Sequence, residues 1–399
     1  MVAAGPAGVR VRTRLHVSDA EAAALGAVGA FLGSLYRGEL AGRIGCGVLD
    51  RDGHAAWRGQ RKQALTAVSS SRWAGAITRA VEDQYQLGMR ALAAYVADLR
   101  EAIAVLERRC ALGPGEVADP GPGRRRSRRG RGYGSAGERF FKTRRLAVLR
   151  ARLAVAQAAL AAGRPSLVVG GKRWWRHRNH LEAAELSVSQ WREGWEARRL
   201  FLTADGESGK PGGNETIRVD EHGRLRVKVP AALVDKLGTH VVVAAPVRFA
   251  YRGAEWSARV GARHAVRYDI GYHPARGRWY VHASWKTRPP PVGQLDELRA
   301  KPVLGVDLNA DHLACCVLDA CGNPVGQPVT IPIETAGLRA SRRDGRVRAA
   351  ISRLLDVADQ AGCGSVVVEN LNFAEARVTG RETLGRGNRG KRLRRTIAG

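Results

Sequence analysis

Residues Gly8 to Val17 read Gly-Val-Arg-Val-Arg-Thr-Arg-Leu-His-Val. Apolar and basic positions alternate, which is the two-residue period of a strand with one basic face. Ser18 follows, with Glu21 three residues later. At that spacing a hydroxyl and a carboxylate can satisfy each other's backbone N–H groups, so a helix rich in alanine is predicted to open here. From about residue 60 to 110 the period is helical: Leu87, Leu92, Tyr95, Val96, Leu99, Ile103 and Leu106 recur mostly at three- and four-residue steps. Leu112-Gly113-Pro114-Gly115 and Asp119-Pro120-Gly121-Pro122-Gly123 break the pattern, and it resumes from Lys142 to Ala162, ending near Gly163. Trp191 and Trp195 sit four apart on the next predicted helix and are read as core.

After Gly206 the period changes to two. Glu215–Val219 and Arg224–Val229 flank Asp220-Glu221-His222-Gly223, a hairpin signal. Further strands are predicted over 239–245, 246–251, 263–272 and 279–285. Several short strands with one face rich in arginine and lysine predict a β-barrel or curled sheet whose basic side meets a phosphate backbone. An ordinary solvated strand face is the alternative. Arg288-Pro289-Pro290-Pro291 reads as a linker, and a domain boundary is expected near 290–300.

The run Val303–Val306 ends on Asp307. Leu313–Leu318, a turn at Asp319–Asn323 and Pro324–Ile333 complete a predicted antiparallel meander. Arg346–Ala361 is predicted as a helix, with Val347, Ile351, Leu354, Leu355 and Ala358 on its apolar face. Gly362 and Gly364 stop it. Ser365–Val368 is then a β-branched run of the kind found in buried parallel strands, and it ends on Glu369. A strand, a crossover helix and a parallel strand place both strand ends at one edge of the sheet, where open α/β sheets bind ligands. Asp307 and Glu369 would face each other there. Two close carboxylates repel unless a cation bridges them or one is protonated. Oxygen donors of this kind suit Mg²⁺ or Mn²⁺, and such ions can activate water against a phosphodiester. The alternative is that both acids are merely polar strand ends.

Composition sharpens this. The 399 residues allow two or three domains, and the formal net charge is +29. A field of that size favours a polyphosphate partner, with membrane surfaces as the minor alternative. No apolar run reaches spanning length, and the first residues lack the charged and apolar regions of a signal peptide. The six cysteines, Cys46, Cys110, Cys315, Cys316, Cys321 and Cys363, form no C-x-x-C pair, so no complete zinc ribbon is expected. They read as reduced and mostly buried residues of a cytoplasmic protein.

Two stretches carry candidate nucleic-acid contacts. The first holds Arg124, Arg125, Arg126, Arg128 and Arg129 within a low-complexity segment. It reads equally as a phosphate grip and as a mobile, solvated linker. The second runs from Val168 to Arg178, where Lys172, Arg173, Trp174 and Arg176 interleave charge with indole after two glycines. Base stacking and phosphate contact are favoured over a glycine turn with core tryptophans. His177 and His180 read as surface histidines. Gly380 to Arg395, rich in glycine and basic residues, is expected to be a mobile, nucleic-acid-facing tail.

Gly305-Val306-Asp307-Leu308-Asn309, with Asp311-His312-Leu313-Ala314 and then Val317–Asn323, resembles the first RuvC motif of TnpB-type proteins, which are transposon-associated RNA-guided DNA endonucleases related to type V CRISPR effectors. Val366-Val367-Val368-Glu369-Asn370-Leu371-Asn372-Phe373 resembles the second motif. The order of basic strand, helical segment and basic β-region upstream is similar to the family's wedge, recognition lobe and wedge. The resemblance implies a multidomain α+β protein. Residues 1–17 would be a first wedge strand, and 18–203 a helical recognition-like lobe with a basic disordered loop at 113–137. Residues 204–290 would be a basic β-barrel-like wedge, and 300–399 the first part of a RuvC, or RNase H-like, domain. It implies a DNA target, a guide RNA, Mg²⁺ or Mn²⁺ held by Asp307 and Glu369, no membrane, and a cytoplasmic, nucleoid-associated setting. The family's third acid comes in a later motif, usually after a cysteine-rich zinc ribbon. No such motif follows Glu369, so a fragment, or a truncated or decayed copy, is expected. A non-catalytic RNA- or DNA-binding remnant and an RNase H-like transposase acting without a guide are the alternatives.

Overall fold

The computed structural model describes residues 8–117, 131–220, 222–287, 294–309, 311–335, 337–338 and 340–368. In chain order the elements are β1 (Gly8–Leu15), α1 (Asp19–Cys46), α2 (Arg51–Val68), α3 (Ser71–Ala111), α4 (Ala136–Ala161), α5 (Lys172–His177) and α6 (Val188–Ala197). Next come β2 (Thr203–Ala204), β3 (Ile217–Val219), β4 (Leu225–Lys228), α7 (Val234–Leu237), β5 (His240–Val243), α8 (Gly253–Gly261), β6 (Arg267–His273) and β7 (Arg278–Lys286). The last are α9 (Leu295–Arg299), β8 (Val303–Leu308), β9 (His312–Leu318), β10 (Pro324–Pro332), α10 (Ala340–Gln360) and β11 (Ser365–Val368). The architecture is mixed helix and sheet, and no helix among the described residues is long and apolar enough to cross a membrane. The chain forms two compact units, and the division falls within α3 and within α4.

One unit holds 8–99 and 150–287. The predicted cap opens α1: Glu21 N donates to Ser18 Oγ and Ser18 N to Glu21 Oε2, at 3.3 and 2.7 Å. The other oxygen of Glu21 accepts from Ala244 N at 2.8 Å, tying the helix start to the end of β5. The long helical pattern is two helices. Ser69 Oγ donates back to Leu65 O at 2.6 Å, and Ser70 Oγ accepts from Trp73 N at 3.2 Å, so two hydroxyls end α2 and begin α3. Trp73 is fully buried, with its indole N–H on Lys228 O at 2.9 Å. Apolar residues of α1, α3 and the strands β1, β3–β5, β6 and β7 merge into one core.

The expected barrel is not formed. Among the described residues the β-region makes two open antiparallel sheets, β1-β7-β6-β2 and β3-β4-β5. Their strands are short and separated by helical turns, so neither sheet closes on itself. The predicted strand 246–251 is also absent. Pro246 has no N–H to give a ladder, and Val247 N bonds instead to Gly223 O at 2.7 Å. Val247 and Phe249 are buried there, which explains the strand-like alternation without a strand. The unforeseen α8 starts from Arg252 in the left-handed region, with no side-chain cap to announce it.

The described parts of the other unit are 100–117, 131–149, 294–309, 311–335, 337–338 and 340–368. Its sheet has the order β10-β9-β8-β11, antiparallel except where β11 runs parallel to β8. Leu304 and Val306 of β8, Leu313 and Cys315 of β9, and Ile331 and Ile333 form a small core with Ala350, Leu354 and Ala358 of α10. The buried face of α10 is rotated from the expected one. Ile351 and Leu355 are 47% and 54% exposed, while Val347, Ala350 and Leu354 turn inward. The small Ala350 lets the helix lie close to the sheet. All six cysteines are free, but only Cys315 is buried, so the expectation of mostly buried thiols is corrected.

Candidate functional site

Asp307 lies near the end of β8, the strand flanked by β9 and β11. Alternation along β8 puts Leu304 and Val306 into the core and leaves Asp307 exposed on the opposite side. There it pairs across the ladder with Ala314, and Gly305 pairs with Cys316. Small residues therefore line the β9 side of the carboxylate. Asn309 Nδ2 donates to Asp307 Oδ2 at 3.0 Å, and Asn309 N bonds to His312 O at 3.0 Å. The tight turn thus fixes the orientation of the acid. Asp311, on the same turn, bonds to His312 Nδ1 at 2.7 Å.

In the parallel pairing of β11 with β8, Val368 lies opposite Val306. The next residue in sequence is Glu369, which lies outside the described residues. Among the described residues no cluster of three or more acidic, histidine or cysteine side chains could hold a metal ion. What this edge of the sheet offers a cation among the described residues is the exposed carboxylate of Asp307, oriented by Asn309, with Asp311 held by His312 on the same turn. Hard oxygen donors of that type fit Mg²⁺ or Mn²⁺ better than a soft metal.

A second feature is electropositive. On the sheet β1-β7-β6-β2 the outward positions include Arg10, Arg12 and Arg14 of β1, Arg278 and Lys286 of β7, and Arg267 of β6. Arginines two apart on a strand are spaced by about 6.7 Å. Arg12 lies over the Tyr280 ring at 4.8 Å, and Arg276 donates to the Tyr280 hydroxyl at 3.3 Å. Asp269 is an acid among these outward residues. It is occupied by Thr203 Oγ1 at 2.7 Å, Arg10 at 3.4 Å and Arg267 at 3.5 Å. His282 sits between the two kinds of charge. Burial pushes its pKa down to about 4, with Arg10 and Arg12 adding to the fall and Asp269 opposing it. The neutral ring accepts from Arg10 Nε through Nδ1 at 3.3 Å, which leaves the proton on Nε2. The basic alternation of β1 was legible in sequence. Its junction with Tyr280, His282 and Arg278 needs the pairing of β1 with β7.

The cluster at 168–178 divides in two. Trp174 Nε1 donates to Trp191 O at 3.1 Å, and Trp191 Nε1 donates to Trp174 O at 2.9 Å. The Arg198 guanidinium lies 4.0 Å from the Trp174 ring centre, and a side chain at Gly194 would collide with that indole. Trp174 is thus a joint between α5 and α6, with its ring engaged inside the protein. Trp191 and Trp195 stack on each other at 5.9 Å and are partly buried. Lys172, Arg173 and Arg176 are exposed, as is the adjacent Trp175 at 48%. In sequence, two successive indoles gave no signal for which one faces solvent. Arg124, Arg125, Arg126, Arg128 and Arg129, the linker 288–291 and the basic tail 380–395 lie outside the described residues.

The chain matches no protein-family model and no curated protein.

Proposed function

We propose that the chain is a nucleic-acid-binding, transposon-associated endonuclease of the TnpB-like, RNA-guided kind, with a RuvC-type carboxylate site that uses Mg²⁺ or Mn²⁺. In this reading, 300–399 is the first part of an RNase H-like domain, the basic sheets serve as a wedge, and the helices form a recognition lobe. The setting would be cytoplasmic and nucleoid-associated. The observation that carries the reading is the strand order β10-β9-β8-β11, with α10 on one face and Asp307 exposed near the end of β8. The parallel partner β11 leads in sequence directly into the acid Glu369. The basic outward face at Arg10, Arg12, Arg14 and Arg278 supports a polyphosphate partner.

A bound divalent ion would supply activation of water and stabilisation of the departing oxygen. Asp307 and Glu369 would hold it, and Asn309 would orient Asp307 by its hydrogen bond. The basic faces would hold phosphates.

Purification of the full chain from its own host tests both halves. A discrete short RNA should copurify, and divalent metal should be needed to cut DNA complementary to it. Asp307→Ala and Glu369→Ala should each abolish cutting while RNA is retained. Absence of bound RNA defeats the guided reading. RNA binding without any cutting favours the non-catalytic remnant, and guide-independent strand breakage favours a transposase.

A further inference from the structure

The first turns of α4 carry two aromatic side chains that no part of the described fold uses. Phe140 and Phe141 are 58% and 69% exposed, and their rings meet edge to face at 5.7 Å. Helical spacing explains why they point outward. Leu146 and Leu149 are buried, so the turn bearing Phe140, Phe141, Arg144 and Arg145 faces away from them. Two adjacent exposed phenyl rings make a small apolar patch on this helix.

The surroundings indicate what such a patch meets. The Arg144 guanidinium lies 5.9 Å from the Phe140 ring centre. Arg139 is anchored by its Nε to Cys110 O at 2.9 Å, and Lys142 lies 5.4 Å from the Tyr133 ring centre. Glu138 has its carboxylate on Gly134 N at 3.1 Å. From Arg139 to Leu149 the sequence has four lysines and arginines and not one aspartate or glutamate. Two exposed aromatic faces, set at a steep angle to each other among cations, match unstacked bases on a charged backbone better than they match a protein surface. Duplex bases hide their flat faces in the stack, so the occupant is single-stranded.

We infer that Phe140 and Phe141, with Arg144 and Arg145, form a stacking platform for single-stranded nucleic acid. This deepens the proposed function and rests on its nucleic-acid-binding half.

The test measures binding of the full chain to a labelled oligo-dT or oligo-U single strand and to a duplex of equal length. Phe140→Ala with Phe141→Ala should weaken single-strand binding on the order of tenfold or more, from the usual worth of one base stacked on a ring. Its salt dependence and the duplex affinity should not change. Phe140→Trp with Phe141→Trp should restore or exceed the original single-strand affinity, which separates stacking from a folding defect. Unchanged single-strand affinity in the alanine variant overturns the inference, as does an equal loss for the duplex. So does failure of the tryptophan variant to bind, or loss of self-association in place of nucleic-acid binding. If the unaltered chain binds neither probe, it is the proposed function that fails.

Discussion

The sheets β1-β7-β6-β2 and β10-β9-β8-β11 each have four strands, and both bury one face while giving solvent the other. Their exposed faces carry opposite chemistry. The first presents arginines at alternate positions of β1 and answers its acid Asp269 with three partners from Arg10, Arg267 and Thr203. The second presents Gly305, Ala314 and Cys316 beside the carboxylate of Asp307, oriented by an amide, with Asp311 on the adjoining turn. The inner faces differ as well. The first joins a continuous core with α1, α3 and the third sheet, whereas the second rests on one helix and a handful of apolar side chains. In both cases packing spends one side of the strand and leaves the other side free for charge. A cationic outer face suits phosphates, and an exposed, oriented carboxylate suits a metal ion.

The largest expected effect breaks the cationic half of this contrast. Replacing Arg10, Arg12 and Arg14 together by alanine should weaken nucleic-acid binding by roughly a hundredfold and lower the slope of log K against log salt by about 2–3, since each phosphate contact contributes close to one unit. Fluorescence anisotropy over a range of KCl checks this. A lost affinity with an unchanged slope would mean that these arginines act through packing.

Next comes stability of the carboxylate sheet. Leu304 is fully buried in a core with few other members. Leu304→Ala should cost about 2–5 kcal/mol by urea unfolding, by removing contacts and leaving a cavity. Ile351→Ala, on the exposed side of α10, should cost well under about 1 kcal/mol. Equal costs would mean that the helix buries the face the apolar pattern first indicates.

The smallest effect concerns His282. Its folded pKa, lowered by burial to about 4, lies below the ordinary value of 6.5. Between those values the unfolded chain binds the extra proton, so stability must fall as pH drops through that window. The part-solvated ring limits the loss to on the order of 1 kcal/mol. His282→Gln should flatten the dependence between pH 6.5 and 4, read from urea midpoints.

How legible these features were depends on whether neighbours along the chain or across it decide them. Val303–Asp307, the helix and Ser365–Val368 could be read because short apolar runs are punctuated by glycines. The expectation that Ser365–Val368 is buried is corrected: it pairs in parallel with β8 but forms the sheet edge among the described residues, with Val367 and Val368 54% and 47% exposed. The cap at Ser18 and Glu21 is local and was equally readable. The face of α10 was misplaced because Ala350 carries little weight in an apolar pattern, yet its small size is what permits close packing. The strand at 246–251 failed because buried Val247 and Phe249 imitate strand alternation in an irregular segment. Trp174 and Trp175 differ only through Trp191 and Arg198, which are distant in sequence. The cluster of Arg10, His282 and Asp269 joins three strands, so no local pattern announces it.

The most direct test of the carboxylate face is binding of Mn²⁺ to the purified full chain, followed by electron paramagnetic resonance. The proposed site predicts saturable Mn²⁺ binding that Asp307→Ala removes, while Asp311→Ala, on the same turn, leaves it in place. Identical Mn²⁺ binding by the unaltered chain and Asp307→Ala would contradict the account.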